Sequence, residues 1–248
     1  VDMNESVRKD TGIEDASLKI YPISGYGNQE LVRNLINIEK PDAILHFTDP
    51  RFWGWLYAIE HEIRQEVPLM YYNIWDDLPY PMWNEPFYES CDLLMNISRQ
   101  TNNIVKNVVR KYPKPDWAIQ WVPHGANRNK FFPITPLHKH YQEYNDWSTG
   151  FKSTNDIDFI IFWNNRNIRR KNPGDLILSY KHFCDQLPKE KADKCCLFMH
   201  TQISDPNGTD LGAVKDTLCP EYKVIFSTQG VDTRKLNYFY NVADVTVN

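Results

Sequence analysis

The sequence has no apolar stretch approaching the ~20 residues needed to span a bilayer, and its start carries no signal-like apolar run. A transmembrane or secreted reading is disfavoured, and a cytoplasmic protein is expected. Charge of one sign is not in excess: Lys plus Arg is 28 and Asp plus Glu is 32, a net charge of −4. That balance gives no electrostatic reason to expect nucleic acid or an anionic membrane as main partner. Cysteine is odd in number, with Cys91, Cys184, Cys195, Cys196 and Cys219, and no pair has CxxC spacing. A zinc ribbon or disulfide framework is disfavoured, and buried free thiols are expected. No GxSxG and no Walker A sequence is present. His61-Glu62 lacks the second histidine of a zincin, and His138 and His140 have no acidic or cysteine ligand close beside them, so no metal site is expected. Glycine is sparse, at 10 in 248 residues.

What is there is an ordinary globular balance, 42% hydrophobic and 24% charged, with aromatics at 14%. A chain of this length can bury a sizeable core, and the aromatics imply one of large residues. Short apolar runs predict strands at Leu18–Ile23, Ala43–Phe47, Leu69–Ile74, Leu93–Ile97 and Ala118–Val122. Further runs follow at Phe159–Trp163, Cys196–Met199, Lys223–Phe226 and Val245–Val247. Several are continuous rather than alternating, as in strands buried on both faces. Between them the period is helical: Ile104, Val105, Val108 and Val109 share one face, as do Leu176, Ile177, Tyr180 and Cys184. Asn28 is placed to cap a helix that ends before Pro41. A strand–helix–strand rhythm predicts an α/β protein with parallel sheets. The rhythm breaks once, between about Asn127 and Asn155, which predicts a Rossmann-like domain over 1–126, a connection over 127–155 and a second such domain over 156–248. Val245–Val247 reads as the start of further structure, so the chain is expected to be a piece of a longer protein.

Four segments carry candidate chemistry. Gly25-Tyr26-Gly27 lies between a predicted strand and a helix, but Glu30 stands where a dinucleotide fingerprint needs a third glycine. A tight turn at the carboxyl end of a strand is the better reading. Asp156-Ile157-Asp158 has the DxD pattern of a metal–diphosphate site, yet it precedes its strand rather than following it. Asn96 begins a glycosylation triplet inside an apolar run, where no glycan could sit. Arg166-Asn-Ile-Arg169-Arg170-Lys171 follows the strand Phe159–Trp163 and precedes a helix that Asn172-Pro173 would open. Cations at the carboxyl end of a strand, beside a helix N-terminus, predict a phosphate site.

Arg166 and Lys171, five apart after a strand, resemble the G-R-x-x-x-x-K-G segment of GT-B glycosyltransferases, particularly family 4 (the glycosyl transferases group 1 domain). Asn165 and Asn172 replace the two glycines. In order along the chain, KPDAILHF (40–47), CDLLMNIS (91–98), VPHGANRNKFFPI (122–134), ILSYKHF (177–183) and LNYFYNVADVTVN (236–248) resemble further segments of that family. Trp75-Asp76 stands where many members carry His-Asp, so a cleft histidine is not carried over. The family's E-x7-E motif would follow Asn248.

The resemblance implies two Rossmann-like domains, the second incomplete. It implies sugar transfer from a nucleotide-sugar donor to an acceptor of unknown kind (glycan, lipid or small molecule), with retention and without a metal or resident cofactor. Arg166 and Lys171 would stabilise the diphosphate leaving group. Gly25, Tyr26, Trp75, Asp76, His124, Gly125, Gln229 and Val231 form the expected substrate-binding set. Trp53, Trp55, Tyr80 and Trp83 are further candidates to stack on the acceptor. Without the E-x7-E segment the chain is expected to be poorly active. The competing readings are a non-catalytic or truncated binding module, and a metal-dependent GT-A enzyme using Asp156 and Asp158.

Overall fold

The computed structural model describes residues 3–248. They form two compact units, the first ending at Gly125 and the second beginning at Ala126. Each has its own four-stranded parallel sheet. No helix among the described residues is long and apolar enough to cross a membrane.

In the first unit the strands are β1 (Ile44–Phe47), β2 (Leu69–Asn73), β3 (Leu93–Asn96) and β4 (Ile119–Trp121), in that spatial order. Helices α1 (Asn4–Thr11), α2 (Gln29–Glu39) and α3 (Arg99–Val108) accompany them. Asn28 caps α2 as its position predicts, its side chain accepting from the Leu31 N–H at 2.9 Å. Ser98 does the same for α3. The apolar stripe of α3, Ile104, Val105 and Val108, packs with Leu69, Tyr71 and Leu94 of the sheet.

Leu18–Ile23, expected as a strand, is not one. Lys19 makes a single bridge, and Leu18, Ile20 and Ile23 stand exposed. Parallel strands need both faces covered, and this run lacks the continuous apolar character that would satisfy that demand. The turn Gly25–Gly27 therefore does not continue a sheet strand.

His46 of β1 is 2% exposed, stacked on Tyr71 at 4.7 Å, with Nδ1 at 2.9 Å from the Tyr57 hydroxyl and Nε2 unpartnered. Burial pushes its pKa down to about 4. The unfolded histidine takes its proton near pH 6.5 and the folded one resists, so this contribution is intact above about 6.5 and lost as pH falls toward about 4. The full loss is about 3 kcal/mol. Urea unfolding near pH 7 and near pH 4.5 should show the wild type losing more stability than His46→Phe. Equal losses would show that His46 is not the titrating group.

The second unit holds β5 (Phe159–Asn164), β6 (Cys195–His200), β7 (Lys223–Ser227) and β8 (Val245–Val247), in the order β7-β6-β5-β8. Its longer helices are α4 (Tyr141–Asn155), α5 (Pro173–Asp185), α6 (Leu211–Leu218) and α7 (Thr233–Val242). β6 alternates between two cores. Cys195, Leu197 and Met199 face α5 and α6, while Cys196 and Phe198 face α4 and α7. All five cysteines are buried and free.

The stretch 127–155 joins the second unit rather than standing apart. Asn237 and Asn241, one turn apart on α7, treat it as a strand: Asn237 exchanges hydrogen bonds with the Phe132 backbone at 3.2 and 3.1 Å, and Asn241 accepts from the Ile134 N–H at 2.7 Å. The stretch then becomes α4, whose Trp147 and Phe151 pack on Phe239 and Phe198.

Candidate active site

The chain runs outward from β5 through β6 to β7, then returns to place β8 on the other side of β5. In an open parallel sheet such a reversal leaves a crevice at the carboxyl ends of the two diverging strands, where ligands bind. Here those ends are Asn164 of β5 and Val247 of β8. Asp244 sets the register, exchanging its backbone N–H and its carboxylate with the Ile160 backbone at 3.0 and 2.8 Å. At the crevice, Asn165 donates to the Asn248 side-chain oxygen at 2.8 Å and Asn164 to the Tyr240 hydroxyl at 2.9 Å.

The basic turn leaves from this point, and a residue that carries no charge holds it. Asn167 is fully buried. Its amide donates to the carbonyls of Gln202, Ile203 and Thr209 at 3.2, 3.1 and 2.7 Å, and its oxygen accepts from the Thr209 N–H at 3.3 Å. Gly208 lies against it so closely that a Cβ there would sit 2.2 Å from the Asn167 carbonyl oxygen. The turn after β5 is thereby pinned to the loop after β6. Sequence reading passed over Asn167 and Gly208, because the two are 41 positions apart and only their contact reveals their role.

Arg166 is exposed and meets Asp205 through two hydrogen bonds, Nε at 2.8 Å and Nη2 at 3.2 Å. The guanidinium, with the Asn207 N–H, holds the Asp205 carboxyl below its usual range. The pair orients Arg166 and leaves Nη1 outside it. Lys171 lines a cavity of about 660 Å³ with Arg170, Asn172, Trp163 and Val247. Arg166 is not in that lining, so the structure brings Lys171 together with Arg170 rather than with Arg166. Arg169 is exposed. Pro173 opens α5 as expected, with Asn172 in the left-handed region at φ 46° and no side-chain cap. Gln229 and Val231 follow β7, two strands from β5, about 10 Å away by strand spacing. Gln229 is exposed, whereas Val231 packs into the core between the sheet and α7.

Asp156 and Asp158 flank the amino end of β5, opposite the carboxyl edge. Asp156 ends α4 and is taken up by Lys194. Among the described residues, no three His, Cys, Asp or Glu side chains gather to hold a metal ion. The metal-dependent GT-A reading loses its placement at a strand's carboxyl end.

In the first unit the remaining candidates collect at the carboxyl edge of the sheet. The Tyr72 hydroxyl donates to the Val122 carbonyl at 2.7 Å and lies 3.1 Å from His124 Nδ1. Its single proton is spent on the carbonyl, so Nδ1 of His124 is the donor toward it. Phe47 meets the same imidazole edge-on at 6.2 Å. Gly125 follows directly. Trp75 is held by the Asn73 side chain, which accepts from its N–H at 3.1 Å, and by Thr101, which donates to its carbonyl at 2.7 Å. The Asp76 carbonyl accepts from Gln100 at 2.9 Å. Asn73 and Asn96, both fully buried, bond to each other at 3.3 Å and fix these turns; burial of Asn96 leaves no room for a glycan.

Gly25 and Gly27 have φ of 61° and 82°. A Cβ on Gly27 would press Leu31 and Trp55 at 3.3 Å. The turn reaches the carboxyl side of β1 through Tyr26, stacked on Phe52 at 4.7 Å. Trp53, Trp55 and Trp75 are packed against the first core, while Tyr80 and Trp83 remain exposed.

No protein-family model and no curated protein matches the sequence. Solved structures do match in shape. The N-terminal domain of Candida albicans trehalose-6-phosphate phosphatase gives a TM-score of 0.59 at 10% identity, over 87% of this chain and 52% of that one. An alpha,alpha-trehalose-phosphate synthase (UDP-forming) from Burkholderia vietnamiensis gives 0.58 at 11%, over 88% and 52%. The structure described as trehalose-6-phosphate from E. coli bound with UDP-2-fluoro glucose gives 0.55 at 13%, over 87% and 54%. This chain spans about half the length of the structures it matches. At these identities the likeness is one of fold: α/β, with two parallel Rossmann-like sheets, as in GT-B glycosyltransferases.

Proposed function

We propose that the chain belongs to a GT-B glycosyltransferase of the family 4 kind, which moves a sugar from a nucleotide-sugar donor to a glycan, lipid or small-molecule acceptor. The observation that carries the reading is the basic turn at the β5/β8 reversal, with Lys171 beside the start of α5 and Arg166 held by Asp205 at the beginning of the same turn. The E. coli neighbour's bound UDP-2-fluoro glucose supports a nucleotide-sugar donor. As the glycosidic bond breaks, charge grows on the diphosphate. Lys171, Arg166 and the backbone N–H groups opening α5 would meet that charge without a metal. His124, Trp75 and Asp76 would serve the acceptor side, and transfer would proceed with retention.

Calorimetric titration of UDP into the chain tests this. Arg166→Ala and Lys171→Ala are each expected to weaken UDP about ten- to a hundredfold, the loss of one charged phosphate contact. Unchanged affinity in both variants would reduce the turn to solvated surface, and no UDP binding by the wild type would favour a module with another role. Stability should change little in both variants, since exposed cations add little to folding.

A further inference from the structure

On the other face of the second sheet lies a cavity of about 530 Å³ that the transferase reading does not use. Its walls come from the segment after Gly125 and from α7. The Lys171 cavity lies on the α5 face, lined by Ile161, Trp163 and Tyr180, so the two share no residue. Arg128, Lys130, Lys139 and Arg234 line the cavity, and no carboxylate does. Three of them, Arg128, Lys139 and Arg234, converge here as exposed or half-buried cations in a chain whose net charge is −4. Arg128 and Lys139 have no ion pair among the described residues. Among the described residues Arg234 pairs only with Glu143, at 3.4 Å, and Glu143 also stands 4.0 Å from His140 Nδ1. Like charges held around one concavity repel, and an anion between them relieves the repulsion.

The cavity is built rather than accidental. Asn237 and Asn241 bond the Phe132 and Ile134 backbone to α7, which fixes one wall. The His138 ring rests on Phe132 at 4.6 Å, and its Nδ1 accepts from the His140 N–H at 3.2 Å. Nε2 of His138 is therefore a proton donor. Phe132, Ile134 and Tyr238 add apolar surface to the lining. The Tyr238 hydroxyl is buried without a hydrogen-bond partner.

We infer that this cavity binds a small phosphorylated molecule with a ring body, the phosphate held by Arg128 and Arg234 and the ring against Phe132. Arginine forks suit phosphate oxygens, and a concave site of this volume suits a small molecule rather than a polymer. The inference stands independently of the proposed donor site. Phenyl phosphate, inorganic phosphate and benzyl alcohol, titrated calorimetrically into the whole chain, test it. Phenyl phosphate should bind best and benzyl alcohol should give no measurable heat. Arg128→Gln and Arg234→Gln should each weaken phenyl phosphate at least about tenfold, as expected for a lost charge-assisted contact. Arg110→Gln, in the first unit, should leave it unchanged. Circular dichroism should show both cavity variants folded, because the two arginines are exposed. Absent binding, or equal affinity in folded variants, would overturn the assignment. So would heparin binding through the same arginines much more tightly than phenyl phosphate, which would point to an extended polyanion instead.

Discussion

Gly208→Ala is expected to destabilise the second unit by about 3–5 kcal/mol, the sum of an overpacked contact and lost buried hydrogen bonds. The new Cβ would stand 2.2 Å from the Asn167 carbonyl oxygen and 2.4 Å from its side-chain oxygen. Neither atom is the far end of a flexible side chain with somewhere to go. Asn167 is fully buried and committed to Gln202, Ile203 and Thr209. Relieving the clash must separate the two loops, leaving three carbonyls without their donor. The same movement shifts Arg166, the preceding residue, and breaks the alignment of its pair with Asp205. Urea unfolding should show a lower midpoint, and UDP affinity should fall with it. A variant within about 0.5 kcal/mol of wild type would mean that the loops part at no cost, since surface changes of no consequence fall in that range.

Phe198→Ala should cost about as much, 3–5 kcal/mol, by a different route. Phe198 is 3% exposed, and its ring lies 4.9, 5.1 and 5.4 Å from those of Phe239, Phe151 and Phe162. Removing it takes the shared partner from three aromatic rings on β5, α4 and α7, and a large void remains because both the sheet and the helices are anchored elsewhere. The first core shares no residue with this one. Hydrogen exchange should therefore lose protection across β5, β6 and β7 while β1 to β4 keep theirs. Equal loss in both sheets would contradict two separate cores.

The eight sheet strands were legible as short apolar runs, and β5 and β6 most of all, because burial on both faces leaves little freedom in residue type. Asn28 and Pro173 were legible for the same local reason: capping and the fixed φ of proline act within one turn of helix. Leu18–Ile23 looked like a strand by composition, yet a strand exists only if a neighbour pairs with it along its length. The stretch 127–155 looked irregular because its order comes from Asn237 and Asn241, about a hundred residues further on.

The basic turn shows the division most plainly. Its charges and its place after β5 are sequence properties. That Lys171 keeps company with Arg170 while Arg166 turns to Asp205 is not, because Asp205 belongs to the loop after β6. The cationic cavity divides in the same way. Arg128 and Arg234 lie more than a hundred positions apart, and no spacing rule connects them. Local preferences reach a few residues along the chain and determined the strands, the caps and the charge of each loop. Which loops meet, and so which charges act together, was decided only when the sheets closed and brought distant side chains within a few ångströms.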